Sequence, residues 1–363
     1  MTSGPAEHFP SDYRVARHTF VTACDQAGID VVSRVHPEAL GRDGKPLFLD
    51  TAVIGPRTAK KALLLISATH GVEGYFGSGV QTGLLREGLA KRAPKGTKIV
   101  LLHALNPYGF AWDRRVNEDN ADINRNCVDF QNPPPNEPYD RLAAAISPRD
   151  ISDTAIASAN EKLVAYLKRH GAFALQEAIS KGQYKYPDGV YYGGAREAWS
   201  IRMLRDVFVE TLAKVKTLTV IDFHTGLGEF GAGEMITEDM PGSAPYNRAK
   251  AMWGARVASS EAGESVSAPL SGTIDKAVAT WLKTVELTFA ALEVGTRDTR
   301  AVFSALRKDN WLHCFAPGRS KHKDGRAIRL ELRDAFYPDT AEWKRMVWGH
   351  ADDVVTSALQ AFG

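Results

Sequence analysis

The segment Thr-His-Gly-Val-Glu-Gly sets His70 and Glu73 three residues apart in a glycine-flanked turn, a spacing that lets an imidazole and a carboxylate face one point. A metal ion suits that point. Zinc accepts imidazole nitrogen and carboxylate oxygen, and a catalytic zinc typically has three protein ligands with water in the fourth position. His224, in Asp-Phe-His-Thr-Gly-Leu-Gly, is the candidate third ligand because it too follows a buried apolar run. Two histidines and one carboxylate, without thiolates, favour a single Zn2+ ion over calcium, magnesium or an iron–sulfur cluster, with non-haem iron as the alternative. Taken singly, His70 reads as a strand-end histidine, Glu73 as a charge at a helix N-terminus and His224 as a turn-bonded imidazole. Only the three together read as a metal site.

For these side chains to converge, the runs before them must lie side by side. KALLLISATHG is a continuous apolar run closed by turn residues, as in a parallel strand buried on both faces, and it predicts a strand ending near Thr69. FGSGVQTGLLREGLA has helical spacing, and KIVLLHALNP reads as a second buried strand closed by proline. TLTVIDFHTGLG gives a third strand with His224 at its end, and VELTFAALEVGT a fourth. Helices are expected over DYRVARHTFVTACDQAG, ASANEKLVAYLKRHG, EAWSIRMLRDVFVETLAKV, YNRAKAMWGARVASSEAG and the residues from about Thr340. Strands alternating with helices predict one α/β domain over residues 1–363, with a mostly parallel or mixed central sheet and helices on both faces. Such sheets bind ligands at the carboxyl ends of their strands. The polar, proline-containing stretch at about 131–195 reads as a long insertion beside the site.

The whole chain bounds the partners. Its 363 residues, 44% hydrophobic and 24% charged, suffice for a sizeable core. The 45 basic and 43 acidic side chains leave a formal charge of +2, without the basic bias of a dedicated nucleic-acid binder. No run approaches the roughly 18 apolar residues of a membrane span, and the first twenty residues carry charges where a signal peptide needs an apolar stretch. Three cysteines, Cys24, Cys127 and Cys314, are odd in number and lack a C-x-x-C pair, which suggests reduced thiols. These features predict a cytoplasmic protein whose partner is a small molecule or short peptide, with neither nucleic acid nor membrane.

The pattern H-x-x-E plus a distant strand histidine resembles the zinc carboxypeptidases, and the phrases THGVEGYFGSG, DINRN, DFHTGLG and EVGT, spread over most of the chain, are similar to a bacterial branch of that family. That resemblance implies a carboxypeptidase-like fold of the phosphorylase/hydrolase type. It also implies an arginine followed by an Asn-Arg pair between the ligands, here Arg115 or Arg114 and then Asn124 with Arg125 in NPYGFAWDRRVNEDNADINRN. By the same likeness Arg115 stabilises an oxyanion, and Asn124 and Arg125, with Arg114, bind a substrate carboxylate through the paired donors of guanidinium.

The resemblance further implies a glutamate on a late strand that removes a proton from zinc-activated water. Glu293, closing TFAALEVGT, has a family-like separation from His224; Glu331, in IRLELRD, has the family-like lettering but follows the charged loop GRSKHKDGR. Glu293 is favoured. The resembling family also carries a mobile tyrosine before that glutamate, and SAPLSGTIDKAV has none, which loosens the carboxypeptidase label. A tyrosine-rich turn, YPDGVYYGGAREAW, offers Tyr191, Tyr192 and Arg196 to reach over the site instead. The expectation is a metallopeptidase or amidohydrolase/deacylase that hydrolyses an amide of a small peptide or N-acyl amino acid bearing a free carboxylate. The alternative is a catalytically silent zinc-binding protein of the same fold.

Overall fold

The apolar run at 61–66 is buried on both sides: Leu63 and Leu65 enter one core, while Ala62, Leu64 and Ile66 enter another. Side chains of a strand alternate between faces, so an unbroken apolar run demands a cover on each face. In the computed structural model, which describes residues 4–363, the run is β3 (Lys61–Ile66), near the middle of one eight-stranded sheet. The others are β1 (Val31–Leu40), β2 (Pro46–Ile54), β4 (Thr97–His103), β5 (Thr217–Phe230), β6 (Gly233–Thr237), β7 (Val257–Ser259) and β8 (Glu286–Gly295). Their order is β1-β2-β4-β3-β5-β8-β6-β7. The block β4-β3-β5-β8 is parallel throughout, whereas β1–β2, β2–β4 and β6–β8 pair antiparallel, so the sheet is mixed.

Helices cover both faces. They are α1 (Tyr13–Gln26), α2 (Gly74–Arg86), α3 (Leu89–Arg92), α4 (Pro107–Trp112), α5 (Glu137–Ile146), α6 (Asp153–His170), α7 (Ala172–Ser180), α8 (Trp199–Val207), α9 (Ala244–Trp253), α10 (Ile274–Trp281), α11 (Thr299–Cys314), α12 (Lys323–Phe336) and α13 (Ala341–Gln360). Phe20 of α1, Phe76 of α2, Trp253 of α9 and Trp343 of α13 pack with Leu63 and Leu65; Leu204 of α8 and Val278 of α10 pack with Leu64 and Ile66. Within residues 131–195, α5, α6 and α7 close a small core of their own around Tyr139, Ile146, Leu163 and Ala178. Asp12 caps α1 and Ser152 caps α6 by accepting a backbone N–H.

Three local expectations need correction. β3 ends at Ile66, and the chain then turns at Ala68, a left-handed residue with φ of 58°. β5 does not stop at His224: its ladder with β8 runs through Thr225, breaks register and resumes at Phe230 opposite Gly295. Gly226 and Gly228, at φ of 134° and 100°, supply the conformations this bulge needs. The helix predicted over 246–263 stops at Trp253, where Gly254 turns left-handed and the chain enters β7. The helix through Phe208 finishes as a π-helical turn at Phe208–Leu212. No helix among the described residues is long and apolar enough to cross a membrane, and Cys24, Cys127 and Cys314 are all free thiols.

Candidate metal centre and its cavity

The parallel block brings the chemistry to one edge. His70 and Glu73 follow β3, with Glu73 closing a 3-10 turn, Gly71–Glu73, that leads into α2. That turn is held by backbone bonds from Gly71 N and Val72 N to the carbonyls of Arg115 and Arg114. An added Cβ on Gly71 would lie 2.0 Å from the Gly109 carbonyl carbon, so only glycine admits the close approach of α4.

His70 Nδ1 lies 3.0 Å from Glu73 Oε1 and 3.1 Å from His224 Nδ1, which is in turn 3.2 Å from Glu73 Oε2. All three residues are buried, and among the described residues theirs is the one group of three such side chains whose ligand atoms all lie within 4.8 Å of one another. Both imidazoles turn their other nitrogen to a buried carboxylate: His70 Nε2 is 3.0 Å from Asp122 Oδ1, and His224 Nε2 is 2.9 Å from Asp222 Oδ2. Asp222 also accepts from Thr69 Oγ1, and Glu73 Oε2 accepts from the backbone N–H of Thr225. Two Nδ1 atoms and a carboxylate facing one point, with each Nε2 within hydrogen-bonding reach of a buried carboxylate, is the donor arrangement that fits a divalent cation. Asp122 and Asp222 were not singled out by sequence reasoning. Asp222 had a signal, because it sits two residues before His224 and so on the same face of β5.

Arg115 crosses this group, with Nε 3.0 Å from Asp122, Nη1 2.9 Å from Glu73 and Nη2 2.8 Å from His70 Nε2. His70 Nε2 cannot donate to Asp122 and accept from Arg115 at once. A metal at Nδ1 would put the proton on Nε2 and so favour the bond to Asp122. Burial works to raise the Glu73 carboxyl, but the charge and hydrogen bonds of His70 and His224, together with Arg115, hold it far below its ordinary range. Burial opposes charge on His224 as well, and Asp222, joined by Glu73, raises its pKa well above the ordinary value.

Glu293 stands directly across from His224 in the β5–β8 ladder. Parallel partners share a face, so both side chains enter the same cavity, where Glu293 Oε1 accepts the N–H of Leu227 at 2.8 Å. Burial, and then the nearby Glu73 carboxylate, push Glu293 up to about 8. Glu331 is elsewhere: it lies on α12, half exposed and paired with Lys308 at 2.7 Å, and does not line the cavity.

The cavity measures about 1050 Å³ and is lined by His70, Glu73, Arg115, His224 and Glu293, with Asn124 and Arg125 further along. Asn124 Oδ1 caps α10 through Ile274 N. Arg125 gives Nε and Nη2 to the carbonyl of Ser180 at the end of α7, and Nη1 to that of Asn124. Arg114 is not brought to the site: its guanidinium is buried against Asp309 at 3.0 Å and Asn120 at 2.9 Å, outside the cavity lining. Of the tyrosine-rich turn, Tyr191 enters the cavity wall, its ring 5.3 Å from the Arg115 guanidinium carbon and 5.7 Å from that of Arg125. Tyr192 is buried away from the cavity and Arg196 pairs with Asp119 at the surface.

A mixed sheet covered by helices on both faces, with a His–Glu–His group at the carboxyl edge of its parallel block, defines the class: this is the zinc carboxypeptidase-like fold. A chain of bovine thrombin-activatable fibrinolysis inhibitor, solved in complex with tick carboxypeptidase inhibitor, superposes with a TM-score of 0.51 at 10% identity, over 99% of this chain and 98% of that one. A metallo-carboxypeptidase from Burkholderia cenocepacia gives 0.47 at 11% identity, over 98% and 71% of the two chains. An aspartoacylase family protein from Mesorhizobium loti gives 0.39 at 14%, over 79% and 67%. Within that fold the chain belongs to the family described as "Protein of unknown function (DUF2817)", which matches residues 9–350. A comparison with curated proteins finds no match.

Proposed function

We propose that this protein is a zinc-dependent hydrolase that cleaves an amide bond in a small peptide or N-acyl amino acid carrying a free carboxylate. The carrying observation is the convergence of His70 Nδ1, His224 Nδ1 and the Glu73 carboxylate to within 3.2 Å, with Glu293 on the neighbouring strand facing the same cavity. His70, Glu73 and His224 would hold one Zn2+. When bound, the metal lowers the pKa of water to about 7 and polarises a carbonyl.

The chain's own residues do the rest. Glu293, on the same face as His224, takes the proton of the attacking water and returns it to the leaving nitrogen, which as an amide anion would leave poorly. With the His70 proton committed to Asp122, Arg115 Nη2 loses its imidazole acceptor and turns to the developing oxyanion. Arg125 keeps N–H groups beyond those given to Ser180 and Asn124, and these bind the substrate carboxylate beside the Asn124 amide. Arg114 supports the site from behind through its ion pair with Asp309.

The test is a panel of dipeptides and N-acetyl and N-succinyl amino acids against zinc-loaded wild type, Glu293→Gln, Glu331→Gln and His70→Ala. We expect Glu293→Gln to retain its metal and lose turnover by about 10²–10⁴-fold, with Glu331→Gln unchanged. His70→Ala should hold well under half an equivalent of zinc. Undiminished turnover in Glu293→Gln would remove the base from the scheme, and full zinc content in His70→Ala would remove the site.

A further inference from the structure

One wall of the cavity is largely apolar and partly exposed. α6 presents Ile156, Leu163, Val164 and Leu167 to it, and α7 presents Leu175 and Ile179. These positions fall on one face of each helix, the spacing that usually buries a helix against protein. Leu163 also reaches the small core of α5–α7, and among the described residues none fills the cavity in front of Ile156, Val164 and Leu167. Val164 is 43% exposed, and Val266 on the facing loop 40%. Phe303 of α11 continues the surface past α6. Concentrated exposed apolar surface in a concavity marks a binding face. Its continuity with the space around His70, His224 and Glu293 makes this face part of the same compartment. At about 1050 Å³ the compartment lies at the top of the roughly 300–1,000 Å³ range of ligand pockets, far more than an acetyl group and one amino acid require.

We infer that the substrate carries an extended alkyl group, a medium- or long-chain acyl moiety, which lies along α6 and α7 while its amide sits at the metal centre. This rests on the hydrolase reading and narrows it to long-chain N-acyl amino acids. The alkyl chain is favoured over an apolar peptide by what the wall lacks. The backbone groups within α6 and α7 are engaged in helical bonds, and the Gln176 amide nitrogen already donates to Val266 O. On this wall Asn160, whose Oδ1 accepts from Arg307, and Gln176 are polar side chains among mostly apolar ones, so most of an extended peptide's N–H and C=O groups would face apolar side chains, whereas an alkyl chain has none to satisfy.

Calorimetric titration of zinc-loaded Glu293→Gln, which binds without turning over, with N-acetyl-, N-hexanoyl- and N-dodecanoylglycine tests this. Each buried methylene is worth about fourfold in affinity, so burial of only a few gives a gain on the order of 50-fold from acetyl to dodecanoyl. Val164→Asp and Leu167→Asp, added singly to Glu293→Gln, should abolish that gain and leave N-acetylglycine affinity unaltered. Thermal melts establish that they are folded, and Val164 is exposed enough to accept the charge. Affinity independent of chain length, or a gain that survives both substitutions, overturns the inference. Trileucine binding as tightly as N-dodecanoylglycine overturns the alkyl assignment. Wild-type turnover is read separately: chain-length-dependent binding with no acylglycine cleaved sinks the hydrolase reading and leaves the apolar wall standing.

Discussion

Asp122 and Asp222 fix which nitrogen of each imidazole carries the proton, and thereby which one faces the metal position. Replacing either by Asn keeps shape and removes the charge that holds the proton. Metal affinity should fall about 10–100-fold in Asp122→Asn and in Asp222→Asn, measured by competition with a chromogenic chelator. Affinity equal to wild type in both would mean the imidazoles need no orienting partner. At this scale the sequence was legible where residue type and spacing coincide: His70, Glu73, His224 and Glu293 lie together, and Tyr191 reaches the cavity. It was less legible where local lettering misled. Glu331 has family-like neighbours but sits on an exposed helix against Lys308, and Arg114, one residue from Arg115, points to Asp309. Adjacent residues diverge in direction, and only the fold says which of the two enters the site.

Among elements, the strands that read directly from sequence are β3, β4, β5 and β8, the parallel block whose burial on both faces forces unbroken apolar runs. β1, β2, β6 and β7 went unread. β1 is an edge strand with exposed Val32 and Val35, and β6 and β7 are only five and three residues long, so these three carry no strong apolar signal; β2 is buried along most of its length, but Asp50 and Thr51 interrupt its apolar run. The bulge in β5 depends on pairing with β8, which no local pattern records. The turn carrying Glu73 owes its position to Gly71 pressed on Gly109. Gly71→Ala should separate α4 from that turn at a cost of about 1–3 kcal/mol and reduce zinc content, read by thermal melting and metal analysis. A variant with unchanged melting and full zinc would show the contact to be slack.

For the molecule as a whole, pH and metal act on stability together. Glu238, at the end of the cavity beyond β6, is pushed up to about 8 by burial and then by Asp275, against the pull of Lys276 at 2.8 Å. The folded chain therefore keeps a proton that the unfolded chain releases near 4.5. Stability from this group is full below that value and is lost as pH rises through about 8. Glu238→Gln should flatten the drop in melting temperature between pH 5 and pH 8 relative to wild type; an equal drop would place the proton elsewhere. If zinc binds the folded site and not the unfolded chain, free metal at about 100 times its dissociation constant should add about 2.7 kcal/mol, and chelation should remove it. A melting temperature indifferent to both would count against the metal site.

His224 and Glu293 are rungs of one ladder, so their separation is set by the roughly 4.8 Å spacing of paired strands. The apolar wall belongs to α6 and α7, which hang outside that ladder. If the proposed hydrolysis and acyl binding hold, reaction and selectivity belong to separable parts of the chain. Exchanging α6 and the first turns of α7 while keeping Ser180, whose carbonyl holds Arg125, would vary that wall and leave the ladder untouched.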